Sequence, residues 1–176
     1  MGREVRRVPA DWKHPKEERL DRYGQVSERY KPLFQVEDYI RKVGEWDDEC
    51  AKWKSGWRPA HCTDPADKDM CYEQWAGQRP NRDNYMPNWP AEQRTHYMMY
   101  ENTSEGTPIS PAFETPQALA RWLADTWASS FAGAPASYEA WLWVANGGFA
   151  PSAISVDGEP LVSGVDALPY GASRTA

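Results

Sequence analysis

Five prolines (Pro59, Pro65, Pro80, Pro87 and Pro90) fall within residues 57–90, beside Trp57, Trp75 and Trp89. Each proline fixes φ and removes a backbone donor, so this stretch can be neither one continuous helix nor an inner strand. It must run as an irregular chain, with helical period only near 65–76, and be held by its aromatic rings. The energetics allow that. Ordering a residue costs about 1–2 kcal/mol of backbone entropy, and less where proline has already fixed φ. A buried Trp returns several times as much, at about 25 cal/mol per Å² over roughly 200 Å². Long irregular segments in compact domains are often functional. Segment 57–90 is therefore expected to be ordered on Trp57, Trp75 and Trp89 and to wall the main pocket beside the 103–110 loop.

Rings must also supply most of the core elsewhere. The 176 residues include 10 Trp, 9 Tyr and 4 Phe, and mean hydropathy is −0.82 despite 40% hydrophobic residues. No apolar run approaches the roughly 20 residues of a membrane span. The opening Met-Gly-Arg-Glu-Val-Arg-Arg has no apolar stretch behind it, so no secretory signal is expected and the reading is a soluble, cytoplasmic protein. Residues 1–34 carry nine Lys/Arg against six Asp/Glu, 35–100 nine against twelve, and 101–176 two against eight. A pI near 5.1 argues against general duplex DNA binding, which needs a broad basic footprint. The acidic last third can meet a basic protein surface, although acidic faces commonly only solvate.

Periodicity and caps give an α+β chain: three to four short helices, a small antiparallel sheet or hairpin, and the Pro/Trp-rich segment. Residues 1–34 read as an extended N-terminal arm and loop, 35–170 as a single domain, and 171–176 as a frayed tail. Within the arm, 3–8 suits a short edge strand, Asp11–Pro15 a turn with an anchored Trp, and 16–32 a surface loop or weak helix. A helix starts near Val36, where Val36, Tyr39, Ile40, Val43, Trp46, Cys50 and Trp53 recur at steps of three and four. Gly56 is its stop. Pro90 suggests a helix to about Glu101. Thr115-Pro116 and Ser137 cap two more helices, the second ending at Asn146-Gly147-Gly148. Ile154–Val156, Asp157-Gly158 and Leu161–Ser163 form a hairpin signal.

Long motifs then suggest a relationship. They are Gly2-Arg-Glu-Val-Arg-Arg-Val-Pro-Ala-Asp-Trp-Lys-His-Pro15, Tyr85-Met-Pro-Asn-Trp-Pro-Ala-Glu-Gln-Arg-Thr-His-Tyr-Met-Met-Tyr-Glu101 and Thr103-Ser-Glu-Gly-Thr-Pro-Ile-Ser-Pro111. Leu119-Ala-Arg-Trp-Leu-Ala-Asp125, Ala136-Ser-Tyr-Glu-Ala-Trp-Leu142 and Gly148-Phe-Ala-Pro-Ser152 continue the series. Together they resemble a family of small accessory proteins encoded by tailed phages and prophages. The resemblance implies a phage accessory protein, and it brings neither an activity nor catalytic residues with it.

Four constellations can carry chemistry. Glu92 and His96 would share a face of the expected 90–101 helix, with Glu101 beyond, as an acid/base pair or half a metal site. The plainer alternative is a His bonded to a neighbouring carboxylate. Cys50, His61, Cys62 and Cys71 are four potential zinc ligands, but no CxxC occurs, and the cysteines lie outside the resembling motifs. Thr103, Ser104 and Thr107 lie in a hydroxyl-rich loop with Gly106, able to cradle a phosphate or simply to bond its own backbone. Arg58, Arg79, Arg82 and Arg94 interleave with Trp57, Trp75, Tyr85, Trp89 and Tyr97 and can clamp a nucleobase and phosphate, or lock the loop to the core. His14 reads as structural.

No cofactor is implied. The expected function is a phage-encoded, non-catalytic binding protein acting in the host cytoplasm. Its expected role is counter-defence, by blocking a host protein or sequestering a nucleotide signal, and a homodimer is possible. The alternatives are a small nucleotide or nucleic-acid enzyme using His96 and Glu92, and a minor virion component.

Overall fold

A computed structural model describes residues 2–102, 106–147, 149–155 and 162–171. The chain is α+β and divides into two compact units, Met1–Pro32 with Asn88–Ala176, and Leu33–Pro87. Among the described residues no helix is long and apolar enough to cross a membrane.

The first unit opens with β1 (Arg3–Val8), followed by the hairpin of β2 (Lys16–Leu20) and β3 (Val26–Tyr30). The 16–32 stretch is thus a hairpin and not a loop or weak helix. Little of it is buried. Asp21 Oδ1 accepts from the amides of Tyr23 and Gln25 to shape the turn, and Gly24 takes a φ of 76° there. Across the strands Lys16 pairs with Glu28.

In the second unit α1 (Val36–Lys54) starts and stops where its apolar spacing and Gly56 predict, and Gly56 adopts a φ of 93°. Its tryptophans, together with the short helix α2 (Tyr72–Ala76), hold the Pro-rich chain. Trp53 stacks on Trp75 with ring centres 4.8 Å apart and donates its indole N–H to Met70 O at 2.9 Å. Trp46 donates to Gly77 O at 3.1 Å. Arg58 lies 3.8 Å above the Trp53 ring. Trp57, an expected anchor, is 41% exposed, so the buried rings come from α1 instead.

Back in the first unit, His96–Glu101 forms β4, and not the expected helix; only Ala91–Gln93 makes a 3₁₀ turn. Then come β5 (Thr107–Pro108), α3 (Pro116–Asp125), α4 (Tyr138–Gly147), β6 (Phe149–Ala150), β7 (Ala153–Ile154), β8 (Val162–Ser163) and α5 (Gly164–Gly171). The two predicted caps are present: Thr115 Oγ1 accepts from Ala118 N at 3.1 Å and Ser137 Oγ from Ala140 N at 3.2 Å. The pairing of β7 with β8 matches the hairpin signal, while its Asp157-Gly158 turn and the 172–176 tail lie outside the described residues.

The main sheet is antiparallel in the order β5-β4-β1-β6, so β1 is an inner strand at its N-terminal end and not the expected edge. In the β1–β4 register Val5 faces Met99 and Arg7 faces Tyr97. Val5, Met99 and Tyr97 pack with Leu119, Leu123, Trp141, Val144 and Val165 from the helices. Glu4 faces Tyr100 and Arg6 faces Met98 on the opposite side of the sheet. At the sheet's end Arg3 sits opposite Glu101 and donates to Ser129 O at 2.7 and 3.0 Å, and burial lowers its pKa.

The helix-covered face carries the fold's stability. Leu123 is fully buried, so Leu123→Ala should cost about 3 kcal/mol, within the usual range for a truncated core leucine. Leu20→Ala, at a position 72% exposed, should change stability by no more than about 0.5 kcal/mol. Urea unfolding of the two variants would check both values.

Candidate ligand-binding cleft

The second face of β4 is covered by the chain that leaves β1. Pro9 ends the strand, and Trp12 N donates back to Pro9 O at 3.1 Å, turning residues 10–14 across the sheet. Trp12 donates its indole N–H to the Tyr100 hydroxyl at 3.2 Å. His14 Nδ1 lies 3.2 Å from the same hydroxyl, and Nε2 lies 2.7 Å from Lys31 O. A carbonyl can only accept, so Nε2 carries the proton and Nδ1 accepts from Tyr100 O–H. The result is a directed chain, from indole to phenol to imidazole to backbone carbonyl.

The rings continue the line. Trp12 and His14 meet edge to face at 6.1 Å, and His14 meets Tyr30 at 5.6 Å. Beyond Tyr30 lies Lys16, its ammonium 5.7 Å from that ring and 2.7 Å from a Glu28 carboxylate oxygen. Glu28 raises the pKa of Lys16, which keeps the cation. The facing wall is the loop 108–112, fixed to β4 by two bonds. Ile109 N donates to Met99 O at 2.8 Å, and Ser110 Oγ accepts from Met99 N at 2.8 Å while donating to Pro111 O. Trp122 of α3 closes one side, with Phe113 against it at 5.9 Å.

Trp12, His14, Lys16, Tyr30, the 108–112 loop and Trp122, with Lys13 and Asp11, line a cleft of about 750 Å³. That lies within the roughly 300–1,000 Å³ of small-ligand sites. Its buried groups are held neutral. Burial lowers the His14 pKa, with the Arg6 charge adding to the effect against the Lys31 bond. Burial pushes the Tyr100 phenol up to about 12, although the Trp12 bond and Arg6 oppose it. Arg6 stacks 4.4 Å above the Tyr100 ring from the strand side.

The expected site residues are placed differently. The cleft's lining comes from 10–14, 16, 30, 98, 108–112 and 122. Trp89 packs edge to face on Trp12 at 4.7 Å and so backs the cleft. Thr107 precedes the loop wall, while Thr103 and Ser104 lie outside the described residues. Tyr97 accepts from Arg7 at 3.0 Å beneath its guanidinium. Arg94 is half-buried after the 3₁₀ turn. Arg79 forms a two-point pair with Asp47 at 2.8 Å, and Arg82 donates to Tyr85 O at 3.1 Å in the second unit.

His96 and Glu92 share no helix face, because β4 replaces the helix; His96 Nδ1 bonds Thr95 Oγ1 at 2.9 Å, and Glu101 stands opposite Arg3. Cys62 is buried with Trp53 and Tyr72, Cys50 packs on that cluster, Cys71 is exposed, and His61 stacks on Trp75. No group of three or more His, Cys, Asp or Glu able to hold a metal ion occurs among the described residues. The sequence reading missed His14 and Trp12 as cleft residues. The one available signal was the aromatic and cationic run Trp12-Lys13-His14-Pro15-Lys16.

No family model, curated protein or solved structure matches the chain, so any assignment of function depends on the cleft and on the sequence motifs.

Tyr100→Phe would strip Trp12 Nε1 and His14 Nδ1 of their shared partner. Its expected cost is about 1–3 kcal/mol, read from denaturant unfolding. His14 also couples folding to pH. The unfolded chain, with histidine near 6.5, takes up a proton more readily than the folded one, so this contribution is whole above 6.5 and declines as pH falls below it. His14→Gln should flatten that slope in unfolding measured between pH 5 and pH 7.5; an unchanged slope would place the titration elsewhere.

Proposed function

We propose that this chain is a non-catalytic binding protein, encoded by a phage and acting in the host cytoplasm in counter-defence. It works by sequestering a small signal molecule and not by covering a host protein. One observation carries the binding reading: the buried polar side chains of the cleft, His14 and Ser110, are hydrogen-bonded within the protein. Both ring nitrogens of His14 are bonded, and the Ser110 hydroxyl both accepts and donates. A general base needs a nitrogen aimed at substrate, and a nucleophile needs a base beside it. This cleft offers shape, ring surface and charge. The phage setting comes from the sequence resemblance, and counter-defence is the role proposed within that setting.

The test is recovery of purified protein from host lysate, followed by native mass spectrometry. A retained small molecule near one-to-one stoichiometry, lost on Trp122→Ala in a still-folded protein, is the expected result. A stoichiometric host protein with no retained small molecule would overturn the sequestration reading.

A further inference from the structure

Resting on the reading of the cleft as a capture site, we infer that its ligand is a nucleoside monophosphate or a close relative: a flat heteroaromatic ring, a hydroxylated sugar and a phosphate at one end. Three features of the lining point that way together.

The first is ring surface. Trp12, His14 and Tyr30 form one wall as an edge-to-face rank, and Trp122 stands among the other lining residues with Ile109 and Pro111. Indole and phenol faces accept any flat π-system by stacking. The second is cationic charge in an acidic protein. The chain carries a net −6, yet Lys13 and Lys16 both line this cleft. Lys16 marks the Tyr30 end. Its ammonium has three N–H donors, and the carboxylate of Glu28 engages one, so others remain to meet a phosphate. The third is Asp11, an acceptor in the same lining. A carboxylate there accepts from sugar hydroxyls or an exocyclic amine, donors that a simple aromatic or aliphatic anion lacks. A ligand satisfying all three must carry a ring, an anionic group and neutral donors. Nucleotides combine these in one molecule.

The arrangement also differs from the arginine clamp suggested by the sequence. Arg79 is held by Asp47 and Arg82 by a backbone carbonyl, so the cations named here are lysines of the N-terminal segment.

Titration calorimetry on the whole chain at low salt tests this with AMP, GMP, CMP and UMP, their nucleosides, inorganic phosphate and decanoate as probes. At least one monophosphate should bind about tenfold or more tightly than its nucleoside and than phosphate, a gap that shrinks as salt screens the lysine. Lys16→Ala, at an exposed position that will not disturb folding, should erase that gap and leave the nucleoside affinity unchanged. Trp122→Leu should weaken nucleotide and nucleoside alike. Monophosphates binding no better than nucleosides, or a gap that survives Lys16→Ala, would overturn the nucleotide assignment, as would tighter binding of decanoate. In those cases a small molecule still retained from lysate would leave the capture reading standing, and its loss would remove both.

Discussion

Tyr97 and Met99 project to one side of β4 and Met98 and Tyr100 to the other, and the latter three are almost wholly buried. That double burial organises the first unit. One face gives α3, α4 and α5 an apolar floor; the other must be covered by whatever chain leaves β1. Burying Tyr100 there removes a phenol from water, which is unfavourable unless the hydroxyl is bonded. Trp12 and His14 meet that requirement. The turn after Pro9 and the rings on it are therefore fixed by the needs of one strand residue, and the cleft is the space left between them and the 108–112 loop.

A site assembled this way has fixed electrostatics. His14 orients its proton toward Lys31 O, and Tyr100 behind it cannot ionise near neutrality, so this bonded chain is neutral and its dipoles point along the wall. Among the lining residues charge comes from Lys13, Lys16 and Asp11, and Arg6 adds a cation behind the Tyr100 ring. Rim charges contribute to orientation and encounter, while ring faces exclude water.

Helices with a wet face and a cap were legible in the sequence. Thr115-Pro116 and Ser137 announce α3 and α4 through groups that satisfy free amides, and α1 shows its three-and-four spacing over five turns. Strands were less so, for two opposite reasons. In β4 both faces are buried, which removes the alternation that marks a strand and leaves a run that Pro90 makes look helical. In β2 and β3 hardly any face is buried, so the pattern is one of charges, and the turn is set by Asp21 and Gly24. The cleft escaped for a related reason. Its residues come from positions 10–14, 16, 30, 98, 108–112 and 122, which are separated in sequence and meet only in the fold.

The scarcity of aliphatic side chains explains why structure and site share one chemistry. A leucine fills space and asks nothing further, but Trp and Tyr each bring a polar atom that needs a partner when buried. In the second unit that need is turned to support: Trp46 and Trp53 donate to the carbonyls of Gly77 and Met70, in a chain whose prolines leave it short of ladder partners. In the first unit the same need links Trp12, Tyr100 and His14 into a chain beside open space. A core made of leucines would have closed that space by repacking. Rings tied to one another by directed bonds cannot slide to fill it, and the cleft persists because its walls are hydrogen-bonded into place.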